Sequence, residues 1–468
     1  MRGWCTHWVQ SVSNKLMASK PPIQAWCLDY PSSDREPKLV QSGRLVQGWV
    51  LLPPKTENAL ARVRIVCHLQ PSFELCCPLT VERPDVIERV LETSPVGHPQ
   101  LKCGFRFTVP TDLAMFGLSL ELDGQRWPLK QVKVSPTKPD SPVLKVLRGK
   151  GDWLFLDNDT NFSVDQFTGH MRFTTQGLES WQDYARAFEA GFEGLIQPSV
   201  LLVAPTKESV MGAYHPMTAA AEPMLQPVLD LFPQAQLVYP AYELKEKLGE
   251  EAFFKTDTHW TQKGAGLAAA LVAKRLGVPA KPIEKLLAKD RYKTRRHAGD
   301  LGNKLAPRVY ADASFLTSFN YRKWVTYDNG LPNFGRLMVI HYPDALVDET
   351  CLVFGSSSSY SMFNYLCRFF RRLVFVHTAG NLDPDVIKAV APDHLVAQTN
   401  ARFMIRPPVS DYDVMDTIHK KQKTLDETGH KRQSQNRYLG DMDLVRELGL
   451  MPWHEQVPNL DDRQAVSE

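Results

Sequence analysis

The chain has 468 residues, 43% of them hydrophobic, enough to bury more than one core and to set an expectation of roughly two or three domains. A net charge of +3 over that length makes no case for nucleic acid or an anionic membrane as partner. Cys5, Cys27, Cys67, Cys76, Cys77, Cys103, Cys351 and Cys367 show neither a Cys-x-x-Cys nor a framework spacing, so they read mostly as buried free thiols.

Residues 1–21 read as a weakly organised N-terminal extension. Met1 to Tyr30 contains neither a secretory apolar core nor a cleavage site. The most apolar windows, near Ser199–Pro205 and Gly264–Ala273, fall far short of the roughly 20 residues of a spanning helix, so a cytoplasmic protein is the expectation. From 22 to 137 the pattern is all-β. Arg44–Leu52, Ala61–Cys67, Cys103–Val109 and Leu118–Leu122 alternate apolar and polar residues, and turn signals such as Pro53-Pro54 and Asp123-Gly124 separate them. That grammar predicts a small antiparallel β-sandwich. The Pro-rich run Ser135–Pro142 marks the boundary that follows.

From 143 to 409 strands and helices alternate. Ser199–Ala204, Gln236–Tyr239, Leu352–Phe354, Arg372–Val376 and His394–Gln398 are short apolar runs of the kind buried in parallel sheets. Thr261 is a natural N-cap for a helix over Gln262–Leu276 with Gly277 beyond its end, and Asp383 or Pro384 starts another. The class is therefore α/β, a doubly wound parallel sheet with its site at the carboxyl ends of the strands. Residues 278–350 read as an insertion or lid, basic around Arg291–His297, and 410–468 as a charged C-terminal extension.

Chemistry is concentrated in two places. In Lys255-Thr-Asp-Thr-His-Trp-Thr261 a carboxylate precedes a histidine by two residues, just ahead of a helix start. Asp257 can take the ring Nδ1–H of His259 and leave Nε2 to accept a nucleophile's proton. In Cys351-Leu-Val-Phe-Gly-Ser-Ser-Ser-Ser359 a buried strand ends in a hydroxyl-rich turn. Either motif alone is an ordinary loop; together they suggest acyl transfer by a Ser–His–Asp arrangement. Zinc on Asp257 and His259 lacks a third ligand at any recognisable spacing, so no metal is expected. Asp157-Asn-Asp-Thr-Asn161 has calcium-loop spacing, but Phe162 and Thr168 occupy the Gly and Glu places of an EF-hand, and the run reads as a turn. Trp260 reads as core or as a saccharide-stacking face. The Arg291–His297 cluster reads as a solvated face or as a site for an acidic sugar or a phosphate-linked carrier.

Gly149-Lys-Gly-Asp-Trp-Leu-Phe-Leu156, Val203-Ala-Pro-Thr-Lys207, Thr256-Asp-Thr-His-Trp-Thr261, Gly299-Asp-Leu301 and Phe354-Gly-Ser-Ser357 together resemble the alginate O-acetyltransferase family of SGNH-hydrolase-like domains. The resemblance runs from about 145 to 405 and does not touch the N-terminal β module or the tail. It implies Ser357 as nucleophile, His259 as base and Asp257 as orienter, with Ser356 and Ser358 as the other registers of the serine run. Its circularly permuted branch has the Asp–His block before the serine, as here. Gly380 and Asn400 then fall on the oxyanion positions, and Arg402, Trp260, Asp159 and Asn161 become substrate-binding candidates. The implied function is carbohydrate O-acetylation through an acetyl-serine in bacterial surface-polysaccharide synthesis, without cofactor. The implied partners are a saccharide acceptor and an acetyl donor, with a membrane-bound acyltransferase or polysaccharide assembly protein beyond them. An acetylesterase with the same triad and a catalytically silent SGNH-like binding module are the alternatives.

Overall fold

The computed structural model describes residues 20–32, 38–40, 43–136, 145–191 and 198–457, which fall into two compact units. One comprises Met1–Lys145, Leu156–Gly177 and Ala219–Met224; the other comprises Val146–Phe155, Leu178–Thr218 and Leu225–Glu468. Most of the N-terminal extension, Cys5, most of the Pro-rich boundary (137–142) and the tail beyond 457 lie outside the described residues. Cys67, Cys76, Cys77, Cys103, Cys351 and Cys367 are free thiols. Among the described residues no helix is long and apolar enough to cross a membrane.

The first unit holds β1 (Ala25–Tyr30), β2 (Leu39–Val40), β3 (Gly43–Leu51), β4 (Arg64–Gln70), β5 (Phe73–Pro78), β6 (Gly104–Val109), β7 (Met115–Leu122) and β8 (Gln125–Lys133). Farther along the chain, β9 (Val146–Arg148) and β10 (Leu154–Leu156) form a two-stranded ribbon. β11 (Met171–Phe173) then returns to the first unit and pairs with β5. Two antiparallel sheets result, one of β1, β3, β2 and β6 and one in the order β11-β5-β4-β7-β8. A charge cluster ties β11 in: Arg172 donates to Glu74 at 2.9 Å and to Glu121 at 3.0 Å, and Arg126 donates to the same two carboxylates. Burial alone would push the Glu74 carboxyl up, but His68, Arg126 and Arg172 hold it down at about 2.

The second unit is built on a sheet that starts with β12 (Ser199–Ala204) and β13 (Leu237–Val238). β14 (Tyr292–His297) and β15 (Ala311–Leu316) make a separate antiparallel pair. The sheet is completed by β16 (Val325–Asp328), β17 (Leu337–His341), β18 (Val347–Gly355), β19 (Phe370–His377), β20 (His394–Asn400) and β21 (Tyr438–Leu439). Its order is β13-β12-β20-β18-β19-β17-β16-β21. The first five strands are mutually parallel, and they are the five apolar runs read from the sequence. Parallel register sets Gly355 beside His377 and Ala204 beside Asn400, so four strand ends share one edge.

Part of the region expected as an insertion is sheet instead. β17 pairs antiparallel with β19, and β16 with β17, which extends the sheet through residues 325–341. The cause is visible in β17, whose Leu337, Met338, Val339 and Ile340 are all buried. Arg368 is buried and paired with Asp290 at 2.8 Å.

Two helices begin at the Asp–His loop and the serine turn. Gln262–Arg275 starts at Thr261, whose Oγ1 accepts from the Gly264 amide, and Ser359–Phe369 starts at the serine turn. They pack closely because Gly266 lies against the Tyr365 ring, where a Cβ would come within 2.9 Å. Phe363 anchors the second helix edge-on to Tyr321, Tyr360 and Phe375. Phe363→Ala is expected to cost about 3–5 kcal/mol in urea unfolding; a loss under about 1 kcal/mol would contradict this anchoring.

Candidate active site

The Asp–His loop is a tight hairpin of backbone. Phe253 bridges Trp260, the Phe254 amide donates to the His259 carbonyl at 3.3 Å, and the Thr261 amide donates to Ala252 at 2.9 Å. Within it Asp257 is 9% exposed. Its Oδ1 accepts from the His259 amide at 2.9 Å and from the His259 ring Nδ1 at 2.7 Å. Its Oδ2 accepts from the Asp300 amide at 3.0 Å, with His297 Nε2 3.5 Å away. This approach requires a glycine at 299: φ is +62°, and a Cβ there would sit 2.5 Å from the Asp257 Cβ.

These contacts set the charges. Burial pushes the Asp257 carboxyl up, but hydrogen bonds from His259 and His297 outweigh it and hold the group far below the usual carboxylate range. Burial likewise works against a charged His259, yet the Asp257 hydrogen bond and charge, reinforced by Asp300, leave its pKa raised, with Arg402 pulling the other way. Burial and the neighbouring Asp257 charge push the Asp300 carboxyl up, against hydrogen bonds from Thr258.

On the facing turn the four serines are sorted by their partners. Ser356 donates from both its amide and its hydroxyl to Gln398 Oε1, at 2.7 and 2.9 Å. The Ser359 hydroxyl donates to the same oxygen at 2.7 Å, and the Ser358 hydroxyl to Asn400 Oδ1 at 2.8 Å. These three are buried; Ser357 is half-buried, and its Oγ lies 3.2 Å from His259 Nε2. With Nδ1–H given to Asp257, Nε2 is the acceptor for the Ser357 hydroxyl.

The next strand end closes over this turn. Thr378 and Ala379 both donate to the Gly355 carbonyl, at 3.0 and 2.8 Å, and Gly380 follows at φ +97°. The Gly380 carbonyl is held by the Tyr184 hydroxyl at 2.6 Å. Asn400 at the end of β20 has its Oδ1 engaged by Ser358 and by Gln398 Nε2.

Residues 146–324 match the family model described as the SGNH hydrolase-like domain of acetyltransferase AlgX. Over that span the chain is similar to the SGNH hydrolase-like domain of an acetyltransferase. The matched span includes Asp257, His259 and Asp300 and ends before Ser357. Among solved structures the chain is similar to Bacillus cereus PatB1 with a sulfonyl adduct, at 12% identity over 58% of this chain and 97% of that one, with a TM-score of 0.41. It is similar also to the O-acetyltransferase domain of Pseudomonas putida AlgJ, at 18% identity over 62% and 99% of the two chains, with a TM-score of 0.34. Pseudomonas aeruginosa AlgX aligns at 15% identity over 56% and 63%, with a TM-score of 0.32. No curated protein sequence matches the chain.

The remaining candidates differ in their surroundings. Trp260 is 2% exposed and offers no face to a saccharide; its Nε1–H donates to Ser361 Oγ at 2.9 Å and the Ser358 carbonyl at 3.2 Å. It braces the serine turn because an indole that deep must place its N–H on a partner. Arg402 is half-buried in the turn Ala401–Phe403, its guanidinium 5.0 Å from the Phe403 ring centroid. Asp159 and Asn161 belong to the other unit, where Asp159 accepts from the Asn161 amide and side chain at 2.9 and 3.0 Å and from Ser163 at 3.1 Å. Gln398 and the roles of Asp300 and Gly299 were not read from sequence, although Gly299-Asp-Leu301 was one of its landmarks.

Asp257, His259 and Asp300 also bring one possible ligand atom each within 4.8 Å of one another, the one grouping of that kind among the described residues. The donor set does not fit an ion, because His259 Nδ1–H is spent on Asp257 and its lone pair faces Ser357.

The opposed shifts give a signed expectation. His259's contribution to stability is fully present below its unfolded value near 6.5 and is lost as pH rises through the raised folded value. Asp257's contribution is present above about 3.8 and lost as pH falls toward its depressed value. NMR titration should place the His259 imidazole above 6.5 in wild type and return it to 6.5 or below in Asp257→Asn. An unchanged midpoint would contradict the pairing.

Proposed function

We propose that this protein is a carbohydrate O-acetyltransferase acting through an acetyl-serine on Ser357, with His259 as general base and Asp257 as its orienter. One observation carries the reading: of four consecutive hydroxyls, three are tied to Gln398 and Asn400, and the one left half-buried faces the imidazole at 3.2 Å. The acetyl chemistry is supported by the match of residues 146–324 to the AlgX acetyltransferase model, and the saccharide class rests on the resemblance of the sequence to the alginate O-acetyltransferase family.

In the first step His259 Nε2 takes the Ser357 proton as Oγ bonds to the acetyl carbonyl carbon. The resulting oxyanion sits on the amides of Ser357 and Gly380, neither of which donates to another group among the described residues. The Asn400 Nδ2 is the donor left once its carbonyl is engaged. Such preorganised donors lower the barrier because they need no reorientation as charge develops. His259 returns its proton to the leaving group, and acetyl-serine remains. A sugar hydroxyl, deprotonated by the same Nε2, then attacks that ester; the acetyl–Oγ bond breaks and Ser357 recovers its proton. Arg402 is suited to orienting an anionic or hydroxyl-rich substrate at this edge. Water in place of the sugar would give free acetate from the same intermediate.

Incubation with an activated acetyl ester should give an acetyl adduct by intact mass in wild type and in Ser356→Ala, and none in Ser357→Ala. Turnover should fall on the order of 10⁴-fold in His259→Ala, and the wild-type rate should rise with pH through the raised His259 value, above 6.5. An adduct persisting in Ser357→Ala would refute the nucleophile. Free acetate as sole product in the presence of acceptor sugars would refute transfer.

A further inference from the structure

Lys207 follows β12 and is only 3% exposed. Its Nζ donates to three backbone carbonyls, those of Leu154 at 2.6 Å, Lys255 at 2.9 Å and Asp257 at 3.0 Å. The Trp153 and Phe155 rings lie on it, with centroids 5.2 and 5.3 Å away. An ammonium has three N–H donors, and here all three are used. It therefore has no donor to offer a substrate. Among the described ion pairs none includes Lys207, so carbonyl dipoles and ring faces are what surround the charge. The charged groups acting on it are Asp257, Asp300 and Glu208, and Lys255 Nζ lies 5.5 Å from the Trp153 ring centroid. Burial brings its pKa down to about 7.

A buried cation of this kind is costly, and an apolar side chain would fill the space without that cost. What an apolar side chain could not do is satisfy three carbonyls, one from the strand after Trp153 and two from the Asp–His loop. Lys207 thereby ties those two segments to the turn after β12 that carries it, joining three of the landmarks that stand far apart in the sequence. One of the carbonyls belongs to Asp257 itself.

We infer that Lys207 is a positioning residue: by holding the backbone of Asp257 and Lys255 it sets the orientation of the Asp257 carboxylate, and through it the aim of the His259 imidazole at Ser357. This rests on the proposed roles of those three residues. A shift of about 1 Å in a catalytic group can cost on the order of 10²-fold in rate, so the reach of the effect is large although Lys207 touches no substrate.

The test is the pH profile of Ser357 labelling by a small sulfonyl fluoride, followed by mass, in wild type, Lys207→Met, Lys207→Gln and Asp257→Asn. Wild type should label at Ser357 with an inflection above 6.5. Folded Lys207→Met, checked by near-UV circular dichroism, should label on the order of 10²-fold more slowly, with its inflection moved toward that of Asp257→Asn. Lys207→Gln, which keeps two N–H donors, should recover part of both. Normal labelling of wild type, with unchanged rate and inflection in folded Lys207→Met, would overturn this inference alone. No labelling of wild type would overturn the Ser357 reading and this inference with it. If neither Lys207 variant folds, the residue is a folding element only, and the inference is likewise overturned.

Discussion

A carboxylate withdrawn from water must be given donors, and the site is organised by how Asp257 obtains them. One oxygen takes the amide and the ring Nδ1 of His259; the other takes the Asp300 amide and faces His297. Each donor fixes something else. The ring bond chooses the His259 tautomer and turns Nε2 outward. The Asp300 amide reaches in because Gly299 has no side chain, and the Asp300 carboxylate in turn holds Thr258 at 2.7 Å. The loop is therefore a closed set of short-range constraints around one negative charge.

The second half of the site comes from sheet geometry. Parallel pairing of β12, β20, β18 and β19 delivers Asn400, the serine turn and the Thr378–Gly380 turn to one edge. Gln398, fully buried, gathers Ser356 and Ser359 onto its carbonyl and leaves Ser357 turned the other way. Trp260 links the two halves, since it follows His259 directly and donates to the serine turn. That indole thereby couples the position of the His259 ring to that of the serine turn.

Much of this was legible in the chain. The five parallel strands announced themselves as short apolar runs, because strands buried on both faces cannot alternate. Thr261 capping and the Asp-x-His spacing are local chemistry, readable over a few residues. What escaped was set by distant pairing. β11 has three residues and is held to β5 by an arginine–carboxylate cluster drawn from four strands, which no window along the sequence reveals. β17 runs antiparallel to β19 and β16 antiparallel to β17, so the alternating strand–helix pattern concealed them. Trp260 offered two readings, and depth of burial decides between them. Gln398 carries no motif at all; its importance arises from the three donors that converge on it.

The proposed chemistry depends on the direction in which one imidazole and one hydroxyl face each other, with two backbone amides behind the reacting carbon. The decisive measurement is a crystal structure of the protein after reaction with a small phosphonate. A covalent bond to Ser357 Oγ is expected, with a phosphonyl oxygen on the amides of Ser357 and Gly380 and His259 Nε2 within hydrogen-bonding distance of the adduct. A phosphonate on a different serine, or on Ser357 with its oxygen turned away from both amides, would contradict it.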